Sequence, residues 1–254
     1  YAKNRIDYMA EVAPANDFSA QTGRPYGTYI GLEAERFYDV NDFDNAGNLK
    51  EGIPTPAFGS VQPGDVKYSD LDGNGVVNQN DVTQIGKSPY PEWYFSFGGK
   101  IGYKGFDLEV LFQGAAGASV NLLDNWNQTV AFVDNGNAYE IAKGAWAYYP
   151  TEGIDTRATA RYPRLTTKNN ENNYQTSSLW IKSADYLKLR NLELGYNFDS
   201  RKLQKAGIEN FRVYLSAQNL ATFSGLLKNY NLDPERISGY PTIKSYNVGV
   251  SITF

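Results

Sequence analysis

The chain has 254 residues, with 24 Lys and Arg against 28 Asp and Glu, for a net charge of −4; this offers no basic surface for nucleic acid. It contains neither cysteine nor histidine. Disulfides, thiolate metal sites, cysteine nucleophiles, the commonest general base and any Ser-His-Asp triad are therefore excluded, and an enzyme is not expected.

Aromatic residues make up 15% of the chain, Gly, Asn, Ser and Thr are frequent, and helical periodicity is scarce, so an all-β protein is expected. From the start, Tyr1 to about Met9 shows a weak alternation and is expected to form a strand. Residues 10–92 then make a long connection. Inside it, Asp70-Leu71-Asp72-Gly73-Asn74-Gly75 opens a calcium-loop pattern that runs to Asp81. In such a loop the first, third, fifth, seventh, ninth and twelfth positions supply oxygen, and the sixth turns sharply. Those positions are Asp70, Asp72, Asn74, the Val76 carbonyl, Asn78 and Asp81, with Gly75 at the turn. Calcium is a hard cation that takes oxygen ligands, and few carboxylates suit the calcium levels outside a cell. Asp81 is shorter than the usual Glu, and the flanks are not amphipathic helices, so a structural ion is expected. An Asx-rich turn without an ion is the alternative.

Phe95 to Tyr103 is apolar at odd positions and Phe106 to Gln113 at even ones; Lys104-Gly105 between them predicts a hairpin. Residues 118–179 form a second long connection. In or beside it, Trp126, Trp146, Tyr148, Tyr149 and Trp180 are candidates to stack on sugar rings or anchor a partner, or else they pack the loop on itself. Leu187 to Arg190 and Leu192 to Phe198 have opposite parity, which predicts a bulge near Asn191. A short link of about one helical turn spans 199–210, Phe211 to Gln218 alternates again, and 224–242 is a third long connection. The terminal strand, 243–254, alternates strictly from Ser245 on: Tyr246, Val248, Val250, Ile252 and Phe254 are apolar, and small polar residues separate them. Lys100, Asp107, Glu109, Glu193 and Arg212 fall on polar faces, as pore-lining candidates or as an ordinary solvated interior.

A soluble sandwich would also alternate. Long and short connections take turns here, however, as in outer-membrane barrels with short periplasmic turns and long extracellular loops. Strands of about 8–12 residues, tilted by about 40°, cross the roughly 25 Å apolar band. Aromatics near strand ends (Tyr94, Tyr103, Tyr196, Phe198, Phe211, Phe223, Tyr246, Phe254) suit interfacial girdles. The mean hydropathy of −0.51 fits such a barrel, whose strands carry little hydropathy signal. Six or so strands cannot close a barrel, since about eight are needed, and an open edge is not viable in lipid. The chain, which starts at Tyr1 with no signal peptide, is thus expected to be part of a larger barrel.

Collinear motifs then carry a resemblance. They include Thr22-Gly23-Arg24-Pro25-Tyr26-Gly27, Pro63-Gly64-Asp65-Val66, Asp70-Leu71-Asp72-Gly73-Asn74-Gly75 and Ile85-Gly86-Lys87-Ser88-Pro89-Tyr90-Pro91. Tyr103-Lys104-Gly105-Phe106, Arg161-Tyr162-Pro163-Arg164, Tyr186-Leu187-Lys188-Leu189-Arg190-Asn191 and Val213-Tyr214-Leu215-Ser216-Ala217-Gln218-Asn219-Leu220 continue the series. Over nearly its whole length the chain resembles the C-terminal region of the SusC/RagA family of TonB-dependent outer-membrane transporters of Bacteroidota. The resemblance implies the last six or so strands of a 22-stranded transmembrane antiparallel β-barrel, without plug or TonB box. It implies nutrient uptake, in which a SusD-like lipoprotein lids the barrel, captures a glycan or peptide substrate, and TonB supplies energy. It also implies that Phe254 acts as a sorting signal for the barrel assembly machinery. Two other readings stay open: a SusC-like barrel serving as a structural subunit of an outer-membrane assembly or secretion complex, and a soluble calcium-stabilised glycan-binding or adhesin domain.

Overall fold

A computed structural model describes residues 1–11, 17–199, 203 and 207–254. The chain divides into two compact units. Among the described residues no helix is long and apolar enough to cross a membrane, which says nothing of strands.

The first unit holds residues 1–2, 91–117 and 184–254. Its centre is an antiparallel meander of five strands: β1 (Trp93–Tyr103), β2 (Phe106–Ala116), β3 (Tyr186–Asn197), β4 (Asn210–Ser224) and β5 (Ser245–Thr253). The β1–β2 turn needs only Lys104 and Gly105, at φ 48° and 87°. Two consecutive positive φ values define a type I′ turn, whose twist matches the strands it joins.

The register shifts in β3 between Leu189 and Asn191, against both neighbours. This is the bulge expected near Asn191, and it settles the parity conflict. Lys188 and Arg190 before the shift join Glu193 and Asn197 after it on one face. That face also carries Lys100, Asp107, Glu109, Gln113, Arg212, Ser216 and Ser251. Apolar residues occupy the other face. Phe97 and Phe112 stack there across β1 and β2 at 5.1 Å. Tyr246, Val248, Val250 and Ile252 stand on β5 with 68%, 76%, 56% and 46% of their surface open. Side chains this apolar and this exposed need a hydrocarbon neighbour rather than water. At the hairpin end, Phe106, Tyr196, Phe198 and Phe211 touch in sequence with centroids 4.7–4.9 Å apart, an aromatic row of the girdle type. Tyr94 departs from the girdle expectation: it pairs with Ala115 on the polar face.

Tyr1 to Met9 forms no strand, contrary to expectation. Only Ala2 bonds towards β1, through Glu92 O. Ile6 instead exchanges backbone bonds with Gly23 and Arg24, so the hydrogen bonds of this segment go to a loop and not to a neighbouring strand. The helical turn expected in the 199–210 link falls on 200–202 and 204–206, outside the described residues.

The second unit combines residues 3–90 and 118–183, nearly the two long connections of the sequence analysis. They fold as one body. Leu32, Val66, Tyr68 and Val77 form one buried cluster, and Tyr38, Phe43 and Val61 another. Short strand pairs frame them, among them Ala34–Phe37 with Val66–Tyr68 and Ser119–Asn121 with Ile181–Ser183. The two segments are joined through a buried polar seam. Asn173 Oδ1 accepts from Val66 N at 2.8 Å, Asn173 Nδ2 donates to Asp65 Oδ1 at 2.9 Å, and Arg164 Nε donates to the same carboxylate oxygen at 2.7 Å. Asp65 is completely buried, and a buried carboxylate is tolerated when it is paired and hydrogen-bonded in this way.

Candidate functional site

The acidic loop folds as its spacing requires. Gly73 and Gly75 adopt φ of 73° and 83° with open space where a Cβ would stand, so glycine is needed there for the backbone rather than for room. The turns bring one oxygen each of Asp70, Asp72 and Asp81 within 4.8 Å of one another. Asp81, fully buried, accepts from Leu71 N at 2.8 Å, Asp72 N at 3.2 Å and Asn78 N at 2.8 Å. Asp70 accepts from Gly73 N and Gly75 N at 2.9 and 2.8 Å. Asn74 Oδ1 takes Val76 N at 2.7 Å, and Asn78 Nδ2 donates to Val76 O at 3.2 Å. The three carboxylates are thus assembled, while the two Asn side chains and the Val76 carbonyl bond within the loop. Like charges at this separation repel by about 1 kcal/mol per pair even in water. An all-oxygen set with two or more anionic members suits a hard divalent cation.

On the polar face of the sheet, the five sequence-selected charges form a connected lattice. Arg212 Nη2 lies 2.5 Å from Asp107 Oδ1 and 2.7 Å from Glu193 Oε1. Lys100 Nζ lies 3.7 Å from both Asp107 and Glu109, and Asn197 Nδ2 donates to Asp107 at 2.8 Å. A second group escaped the sequence reading. Lys188 and Arg190 of β3 meet Asp233 and Glu235 of the β4–β5 connection, and the Tyr186 hydroxyl donates to Glu235 at 2.7 Å. The available signal was the alternation Leu187-Lys188-Leu189-Arg190: two cations on one face of a strand need counter-charges from somewhere.

The aromatic candidates separate. Trp180 is only 1% exposed, donates Nε1 to Asn173 O at 2.8 Å and packs edge-on to Tyr162 at 5.6 Å. The expected ligand role for Trp180 is corrected accordingly: a sugar cannot stack on a ring with no open face. Half-buried Trp146 covers Gly64, whose φ is 90°. Tyr148 is covered by the Arg157 guanidinium at 3.8 Å. Trp126 and Tyr149 keep 40% and 55% of their surface open, Trp126 edge-on to Tyr174 at 5.2 Å. None of the five lines the open cleft of about 720 Å³ between Phe58 to Gln62 and Arg164 to Glu171. Phe254, the expected sorting residue, is largely exposed.

No family model matches the chain. It is similar to TonB-dependent receptor P3 of Formosa agariphila, 28% identical over 98% of this chain and 24% of that protein. TonB-dependent receptor P26 of the same organism is 25% identical over 75% of this chain and 20% of its own length. Among solved structures, the RagAB peptide importer in its open-open state superimposes with a TM-score of 0.60 at 20% identity, covering 97% of this chain and 24% of that one. The closed-closed state gives 0.58 over 92% of this chain. The chain therefore spans about a quarter of the length of the relatives it matches. A two-faced antiparallel sheet with an exposed apolar side, collinear likeness to TonB-dependent receptors along nearly the whole chain, and a structural neighbour of the same fold converge: this chain is a segment of an outer-membrane β-barrel that resembles the TonB-dependent receptors.

Proposed function

We propose that the complete protein imports oligosaccharides or peptides across the outer membrane, with a SusD-like lipoprotein as lid and TonB as energy source. The two-faced sheet carries this reading. Its apolar face suits lipid, and its other face holds a lattice of charges across four neighbouring strands, as a water-filled lumen requires. RagAB, the structural neighbour, is a peptide importer. The chain's own residues bind and steer; no bond is made or broken. Asp70, Asp72 and Asp81 hold a structural calcium ion, with Asn74, Asn78 and the Val76 carbonyl completing its oxygens, and the ion pins the long loop that carries them. Trp126, Trp146, Tyr148 and Tyr149 form contacts for substrate or lid. Phe254 is read by the barrel assembly machinery.

The test is a deletion strain supplied in turn with labelled oligosaccharides and with labelled peptides. Uptake should fall in the deletion, return with the intact gene, and vanish when TonB is removed. Unchanged uptake of both substrate classes in the deletion strain would sink the proposal.

A further inference from the structure

The β4–β5 connection leaves β4 through a short helix, Gly225–Tyr230, and returns to the polar face of the sheet. Lys188, in β3, is 0% exposed there. Burying an ammonium is costly unless every donor finds an acceptor. Lysine has three such donors, and Lys188 Nζ meets Asp233 Oδ1 at 2.8 Å, Glu235 Oε2 at 2.5 Å and Thr242 Oγ1 at 3.2 Å. All three acceptors belong to the connection. Arg190 binds Glu235 as well, and Asn219 Oδ1 at 2.9 Å. Asn219 Nδ2 in turn donates to Ile243 O at 3.1 Å.

The connection is also tied to itself. Asp233 accepts from Glu235 N at 3.0 Å and from Thr242 N at 2.8 Å, and its carbonyl accepts Arg236 N at 3.0 Å. Asp-Pro at 233–234 begins this turn, as the residue pair favours. Both limbs of the loop are therefore clamped, while the stretch around Gly239-Tyr240-Pro241 stands clear, with Tyr240 87% exposed. Lys188 and Arg190 share their face with Glu193, Asp107 and Arg212, so the loop covers the lumen side of the wall and not its lipid side.

We propose that residues 231–244 form an inward strap, anchored by Lys188, which narrows the lumen and sets the size of solute admitted. This rests on the import reading given above. The two cations Lys188 and Arg190 and the two carboxylates cancel, which leaves Arg236 and Lys244 as the exposed charges of the strap beside its bulk. Its free tip is uncharged.

The test uses the full-length receptor. Lys188→Met removes the anchoring charge at similar length, and Glu235→Gln is a milder second variant should the first fail to assemble; heat-modifiable gel mobility reports assembly. Hydrogen exchange across 231–244 should be slow in the wild type and on the order of tenfold faster in either variant. Cells fed in turn a protease digest of graded peptide lengths and a ladder of graded oligosaccharides should import longer members of the transported class through the variants. Equal exchange in wild type and variants overturns the strap. Faster exchange with an unchanged length distribution overturns its selecting role. Absence of any wild-type import overturns the import reading and the selecting role together, and the exchange data, which need no substrate, tell this apart from a failure of the anchor.

Discussion

Arg212 in β4 reaches past β3 to Asp107 in β2, Nη2 to Oδ1 at 2.5 Å, and the route is open because Gly195 lies beneath the guanidinium. A Cβ at Gly195 would run into that group. Gly195→Val should therefore break the Arg212–Asp107 pair and destabilise the barrel by about 1–3 kcal/mol. Gly99, which has open space around it, supplies the control: Gly99→Ala should change little. Heat-modifiable mobility of the complete receptor in detergent measures both.

Calcium should stabilise the second unit. At a concentration about a hundredfold above its Kd, an ion that binds only the folded state adds about 2.7 kcal/mol. Asp72→Asn should lose most of that calcium-dependent gain. Asp81→Ala should be destabilised even in chelator, by about 1–3 kcal/mol or more, because three backbone donors lose their acceptor. Thermal melts with calcium and with chelator decide the matter; identical melting in the two conditions at millimolar calcium excludes the ion.

The two faces of β5 should differ in tolerance. Val248 pairs with Leu215 on the apolar side, and its neighbour Asn247 pairs with Ser216 on the polar side. Val248→Arg should cost about 2–4 kcal/mol if the site lies near the bilayer midplane, and Asn247→Arg much less. Equal costs, measured by denaturant unfolding in lipid, would contradict the assignment of faces.

Trp180→Ala should cost about 3–5 kcal/mol, as deletion of a large buried ring does. Tyr149→Ala should leave stability nearly unchanged while weakening capture of substrate or lid. Chemical denaturation paired with a binding measurement separates the two effects.

The strap has a calculable pH dependence. Burial pushes the Asp233 carboxyl up, but bonds from Lys188, from Thr242 and from the Glu235 amide outweigh this and hold it at about 2. Glu235 is likewise lowered: burial opposes, and Lys188, Tyr186 and Arg190 prevail. A carboxyl depressed on folding contributes stability above its ordinary value and loses it as pH falls towards the folded value. Exchange protection of 231–244 should be level from neutrality down to about pH 5 and should fall away below about pH 4. Loss of protection already near neutrality would refute the latch.

Much of the sheet was legible because its signals are local. Two-residue alternation marked 245–254, the parity reversal marked the bulge beside Asn191, and Lys104-Gly105 marked the hairpin. Tyr1 to Met9 misled because a weak alternation says nothing about whether a partner strand is available. Trp180 misled because its residue type does not reveal burial, which Tyr162 and Asn173 impose from elsewhere in the fold. The counter-charges of Lys188 lie 45 and 47 positions further along the chain, beyond the reach of any spacing rule. In the acidic loop, by contrast, every ligand candidate lies within one short segment, and the carboxylates met as the spacing required.

The polar seam of the second unit also imposes an order of events. Asp65 acquires Arg164 and Asn173 from 99 and 108 positions later, with the β1–β2 hairpin emerging in between. Until the later segment arrives, that carboxylate lacks the partners that make its burial tolerable, so the earlier segment cannot complete the seam by itself.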